Sequence, residues 1–278
     1  MECSNTGIFI LDCLKDTDLQ TARSLYDDID GYNRYDPVPT ITYRRIQSRD
    51  ELVSFMGEML KYCHQGGFPL LHFELHGNKD QGIFVGNAQE NIPWSEVVRG
   101  LREINIACRN NLVVVMAGCY GIYAVSEIAA DEPSPFFFLA GFNESVESGV
   151  VQEHIANFYR TLLAENSLSD AISAIKNNVP SFLAEEMFVL AMIGYFRDHS
   201  RGRGKAARVE KLLTRWVELH PNHSIEEFRA YRTRLRKFLK ASIEEFQRNA
   251  NLFLHSRYHV EAEEVFSFLE ALPGKKTI

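Results

Sequence analysis

Five successive apolar residues at 112–116, Leu-Val-Val-Val-Met, run directly into Ala117-Gly118-Cys119-Tyr120-Gly121. Nothing in this run alternates with polar residues, so it cannot be a strand with one wet face; it predicts a strand covered on both faces. Such a strand requires a sheet with helices on either side, and the rest of the chain supplies both. Strand-like runs at 8–11, around Ile41, Tyr43 and Ile46, at 70–75 and at 135–142 alternate with segments of helical period. Residues 48–62 carry Leu52, Phe55, Met56, Met59 and Leu60 on one helical face. Pro93 opens another helix, with Trp94, Val97, Val98, Leu101 and Ile104. A Gly- and Asn-rich stretch after Gly77 holds 83–85 as a small hairpin arm, and 152–163 and 169–176 are expected helices. Residues 188–196 are taken as a sixth strand, although an apolar-all-round pattern also suits a buried helix. The expected fold is α/β, with a mainly parallel six-stranded sheet in residues 1–198.

After that the pattern changes. Residues 198–205, containing Ser-Arg-Gly-Arg-Gly, predict an exposed linker, and 207–278 a small all-α module. Ser224-Ile-Glu-Glu227 and Ser242-Ile-Glu-Glu245 are two capping-box signatures opening successive helices. A last amphipathic helix carries Val265, Phe266, Leu269 and Leu272.

Charge and cysteine content narrow the function classes. A net charge of -7 argues against wholesale nucleic-acid binding, which calls for a basic surface. Basic residues crowd into 197–240, where Arg229, Arg232, Arg236 and Lys240 recur at helical spacing opposite Ile225, Phe228, Leu235 and Leu239. That stripe is expected to be a solvated helix face, with docking of an acidic protein partner as the rival reading. No apolar run approaches the roughly 18 residues of a membrane span, and the first residues lack a secretory pattern. The five cysteines (Cys3, Cys13, Cys63, Cys108 and Cys119) are odd in number and have no metal-knuckle or redox spacing. A cytoplasmic protein with no metal and no cofactor is expected.

Two reactive residues stand where two apolar strands end, each beside glycine: His76-Gly77 and Gly118-Cys119. In a parallel sheet the C-terminal edge is the ligand-binding edge, so neighbouring strands would bring both into one crevice. A thiol is mostly protonated at neutral pH, and an adjacent imidazole is the usual means of activating it. Flanking glycines let a peptide approach closely and leave backbone N–H groups free for a developing oxyanion. Zinc is the competing reading of His72-Phe-Glu74-Leu-His76. The zinc-protease helix, however, has Glu directly after its first His, where Phe73 stands here, and these residues are strand-like. No glycine-rich phosphate loop followed by Lys-Ser/Thr is present.

Leu70-Leu-His72-Phe-Glu-Leu-His76-Gly77 resembles the His-Gly motif of the CHAT group of caspase-like (clan CD) cysteine peptidases, including the histidine four residues earlier. Val113-Val-Val-Met-Ala-Gly-Cys119-Tyr-Gly121 resembles that group's apolar strand ending in cysteine. Further likenesses, in the same order, are the hairpin-and-helix segment at 82–101, the late helices around Phe158 and Ser169, and a last strand at 188–194. The resemblance spans residues 6–196 and departs at Gly118, inserted between Ala117 and Cys119. It implies a caspase-like three-layer fold and a cysteine endopeptidase with Cys119 as nucleophile and His76 as general acid/base. The Gly77 and Cys119 N–H groups would form the oxyanion hole. It further implies a pocket around Asp12, Ala117 and Glu144: Ala117 stands where Arg- and Lys-specific relatives carry an acid, and Asp12 and Glu144 either favour a basic side chain before the cut bond or are solvated loop carboxylates. His72 matches without an implied catalytic role. Peptidases of this group resemble switchable effectors of bacterial stress or antiviral systems, which implies an activating partner and a specific protein substrate. The alternative is a catalytically silent caspase-like scaffold that only binds.

Overall fold

The computed structural model describes residues 5–31, 39–87 and 90–271; Cys3 and Leu272 lie outside them. The chain divides into two compact units, one running to Ala184 and including Phe253–Arg257, the other containing the remaining C-terminal residues.

In the first unit, β1 (Gly7–Asp12), β2 (Thr40–Arg45), β3 (Pro69–Glu74), β7 (Val113–Ala117), β8 (Phe138–Gly141) and β9 (Ser181–Leu183) form one sheet in the order β2-β1-β3-β7-β8-β9. Every pairing is parallel except that of β9 with β8. The apolar run at 112–116 supplies most of β7, which is buried along its whole length between β3 and β8. Its valines each contribute on the order of 1.5–3 kcal/mol by leaving water, which is why an unalternating run belongs at the centre.

Helices cover both faces. Ile8, Ile10, Leu70, Val113, Val115 and Phe138 pack with Leu25 and Ile29 of α1 (Thr21–Asp30), Ile155 and Phe158 of α4 (Ser148–Glu165) and Ile175 of α5 (Leu168–Ile175). On the other face Phe9 meets Phe55 and Tyr62 of α2 (Arg49–His64) edge to face, at 6.1 and 5.3 Å between ring centres. Ser48 caps α2 by accepting the Glu51 N–H. The next helix, α3 (Trp94–Ala107), starts one residue later than expected, with Pro93 at the cap position and not the first helical one. Between β3 and α3 a small antiparallel sheet forms from β4 (His76–Asn78), β5 (Gly82–Val85) and β6 (Glu90–Ile92), the predicted hairpin arm with two partners.

The sixth strand is not at 188–196. That segment lies in α6 (Ala184–His199), with Phe188, Met192 and Phe196 buried four residues apart and Leu190 60 % exposed. Helical recurrence, not continuous burial, organises it, and the likeness of 188–194 to a terminal strand fails with it. The sheet's sixth member is β9, three residues that carry no periodic signal.

The helical unit therefore starts with α6, ahead of the expected boundary at 198. The expected linker shrinks to residues 200–201, because α7 (Gly202–Leu219) begins within the Gly-Arg run. The capping box of α8 (Ile225–Phe238) is formed reciprocally by Ser224 and Glu227, and Ser242 accepts the Glu245 N–H at the start of α9 (Ile243–Phe253). Leu235 and Leu239 pack against Val209 and Leu213, and Trp216 stacks on Tyr231 at 4.8 Å. Ile225, expected on the buried side, is 70 % exposed. Arg232 pairs with Glu210 of α7, while Arg229, Arg236 and Lys240 are exposed. In α10 (Ala262–Ala271), Val265 and Leu269 are buried as expected.

Candidate active site

The register of β3 against β7 aligns Glu74 with Ala117, so His76 and Cys119 each lie two residues past a matched pair of strand ends. The strand order reverses direction between β1, which leads outward to β2, and β3, which leads toward β7. At such a switch point the loops leaving the C-terminal edge diverge and open a crevice. The loops after β1, β3, β7 and β8 all leave from this edge.

Backbone contact fixes the two site loops against each other. A Cβ on Gly77 would lie 2.0 Å from the Cys119 carbonyl oxygen, and one on Gly118 2.1 Å from that of Leu75. Real side chains do not tolerate such distances, so both positions require glycine. Gly118, the departure from the peptidase pattern, is thus the residue that lets the β7 turn close on the β3 turn. The Leu75 N–H donates to Ala117 O at 3.4 Å, prolonging the ladder toward the site.

The Cys119 loop is also tied to the segment after β8. Tyr120, with a left-handed φ of 60°, donates its N–H to Glu144 O at 3.4 Å, and Ile122 to Phe142 O at 3.2 Å. The Val146 N–H donates to Cys119 Sγ at 3.4 Å. Among the described residues no acceptor engages the Cys119 N–H. Cys119 is partly exposed, whereas Cys13, Cys63 and Cys108 are buried. Burial, then the charges of Asp12 and Glu74, push the Cys13 thiol up. Cys63 is pushed up by its hydrogen bond with Cys108 and by burial. Neither thiol is available as a nucleophile.

His76, with its side chain 50 % exposed, bonds through Nε2 to Asp18 Oδ2 at 2.8 Å. Asp18 belongs to the loop after β1 and was not singled out from the sequence. The only signal for it was its place after an apolar strand at the same sheet edge. Burial draws its carboxyl upward, but the Lys15 N–H and the His76 ring outweigh this and hold it below the usual carboxylate range.

The expected pocket residues fall differently. Asp12 is fully buried: the Tyr43 hydroxyl donates to it at 2.6 Å and the Leu14 N–H at 3.1 Å, with Arg45 at 3.8 Å. It presents no surface to a ligand, because β1 runs one residue further than expected and Asp12 is its last member, in register with Arg45 and Glu74. Burial and that bond push the Tyr43 phenol up to about 12. Ala117 is buried at the end of β7, and Glu144 is exposed beside the Cys119 loop. His72 is buried, its Nε2 bonded to Glu74 Oε2 at 2.8 Å, and the Thr21 hydroxyl donates to the other Glu74 oxygen. His72 and His76 therefore do not converge on a shared ligand position, and among the described residues no cluster of His, Cys, Asp and Glu could hold a metal ion. A cavity of about 310 Å³ between α2 and α3, lined by Leu52, Met56, Val97 and Gly100, holds none of the predicted site residues. No helix among the described residues is long and apolar enough to cross a membrane.

Comparison with protein-family models and with curated proteins finds no match to this chain.

Proposed function

We propose that this chain is a caspase-like cysteine endopeptidase. The observation that carries the reading is the placement of His76 and Cys119 at matched ends of adjacent parallel strands, their loops in backbone contact through Gly77 and Gly118. Cys119 attacks the scissile carbonyl, and the proton it gives up passes to His76 and then to the leaving amine; water hydrolyses the thioester. The Cys119 N–H, joined by that of Gly77, supplies the oxyanion donors. An open sheet edge suits an extended peptide better than a small molecule held in an enclosed cavity. Glu144 is the acid left to favour a basic residue before the cut, since Asp12 is internally engaged. The exposed arginines of α8 suit a regulatory protein partner, consistent with an effector that is switched on in a stress or antiviral response.

Labelling with a peptidyl electrophile such as an acyloxymethyl ketone tests the reading. Wild type is expected to be modified at Cys119 alone, Cys119→Ala not at all, and His76→Ala at least about a hundredfold more slowly. Equal labelling of wild type and His76→Ala would leave the non-catalytic scaffold as the better account.

A further inference from the structure

We infer that Asp18 is the positioning residue of His76, fixing the ring so that Nδ1 is the nitrogen that exchanges protons with Cys119. The inference rests on the peptidase reading and adds a third member to its pair.

Asp18 is held in place before it meets the histidine. The Lys15 N–H donates to Asp18 Oδ2 at 2.9 Å, and the Asp18 N–H donates back to Lys15 O at 3.2 Å. Gln20 Nε2 donates to the carbonyls of Lys15 and Asp18, at 3.3 and 3.1 Å. Arg45, reaching across from β2, donates to Gln20 Oε1 at 3.4 Å, Leu14 O at 3.3 Å and Asp16 Oδ1 at 2.5 Å. The loop is thus braced at several points, with the Asp18 side chain only 24 % exposed. A loose surface carboxylate would lose the entropy of being held in order to orient a ring; one fixed by its own loop does not.

The proton count follows from the acceptor. An ionised carboxylate can only accept, so the bond at Nε2 must be donated by the ring. A neutral imidazole that donates from Nε2 carries its lone pair on Nδ1. Proton transfer from Cys119 Sγ to Nδ1 then yields a thiolate and an imidazolium, whose charge the Asp18 carboxylate stabilises. When the C–N bond breaks, Nδ1 returns that proton to the amine nitrogen and the ring is neutral again.

The rate of Cys119 carbamidomethylation by iodoacetamide, measured from pH 5 to 9 on the full chain, separates this role from a structural one. Asp18→Asn keeps an oxygen for the Lys15 N–H, so the loop can stay folded, and thermal unfolding of each variant checks that it does. The expected result is a rate at least about tenfold lower at neutral pH in Asp18→Asn, with the profile displaced to higher pH. Asp18→Asn placed on His76→Ala is expected to add nothing, because Asp18 acts only through the ring. A wild-type profile in Asp18→Asn, or an equal loss with and without His76, would overturn the inference while leaving the Cys–His pair intact. No effect of His76→Ala itself would overturn both. Nitrogen-15 spectra of wild type must also show an unprotonated Nδ1 and a protonated Nε2 in the neutral ring; the reverse tautomer would sink the assignment.

Discussion

Two histidine–carboxylate pairs lie four residues apart, one inside the sheet and one at its edge. His72 meets Glu74 and His76 meets Asp18, each at 2.8 Å. The inner pair is closed: His72 has no exposed surface, and the second Glu74 oxygen is taken by Thr21. The outer pair is open, its histidine half exposed and its carboxylate supplied by a different loop. The same two functional groups form an enclosed brace in one place and an accessible pair at the sheet edge in the other. Burial and the origin of the partner decide which, not residue type.

The comparison can be broken or sharpened by substitution. The largest effect is expected at the inner pair. His72→Ala strips a buried carboxyl of its partner and should cost about 3–5 kcal/mol of unfolding free energy, read from urea denaturation. Thr21→Val removes only the donor to the other Glu74 oxygen, and about 1–3 kcal/mol is expected by the same measurement. The smallest effect is at the outer pair, where Asp18→Asn should cost less than about 1 kcal/mol near pH 7. Its signature is instead in acid. The Asp18 carboxyl sits lower in the folded chain than in the unfolded one, so its stabilisation is present above the unfolded value. It is lost as pH falls below about 4 through the folded one. Asp18→Asn should therefore flatten the acid limb of a melting-temperature profile. A stability loss at Asp18 as large as that at His72 would erase the distinction between the two pairs.

Much of the sheet could be read from the sequence because β1, β3, β7 and β8 lie in apolar runs, β7 most of all, while β2 shows only the two-residue spacing of Ile41 and Tyr43. Where strands are short the signal vanishes: β9 has one buried side chain in three residues. The segment 188–196 misled because its apolar content hides a four-residue recurrence, which the exposure of Leu190 and Ala191 between Phe188 and Met192 makes visible. His76 and Cys119 were legible because each adjoins a strand end and a glycine. Asp18 was not, since a loop aspartate becomes a partner only through tertiary placement. Asp12 shows the converse. Its place just after the apolar run 8–11 points to a pocket, but it ends β1, and Tyr43 and the Leu14 N–H turn its carboxyl into an internal tie.

The crossing of the two site loops has one more consequence. Because Gly77 meets the Cys119 carbonyl and Gly118 the Leu75 carbonyl, the junction is made by backbone and does not use the side chains at 76 and 119. Those side chains reach away from the joint, to Asp18 and to Val146. On the proposed peptidase reading, a Cys119→Ala chain should keep this joint in shape, and so serve as bait that holds a protein substrate long enough for it to be identified.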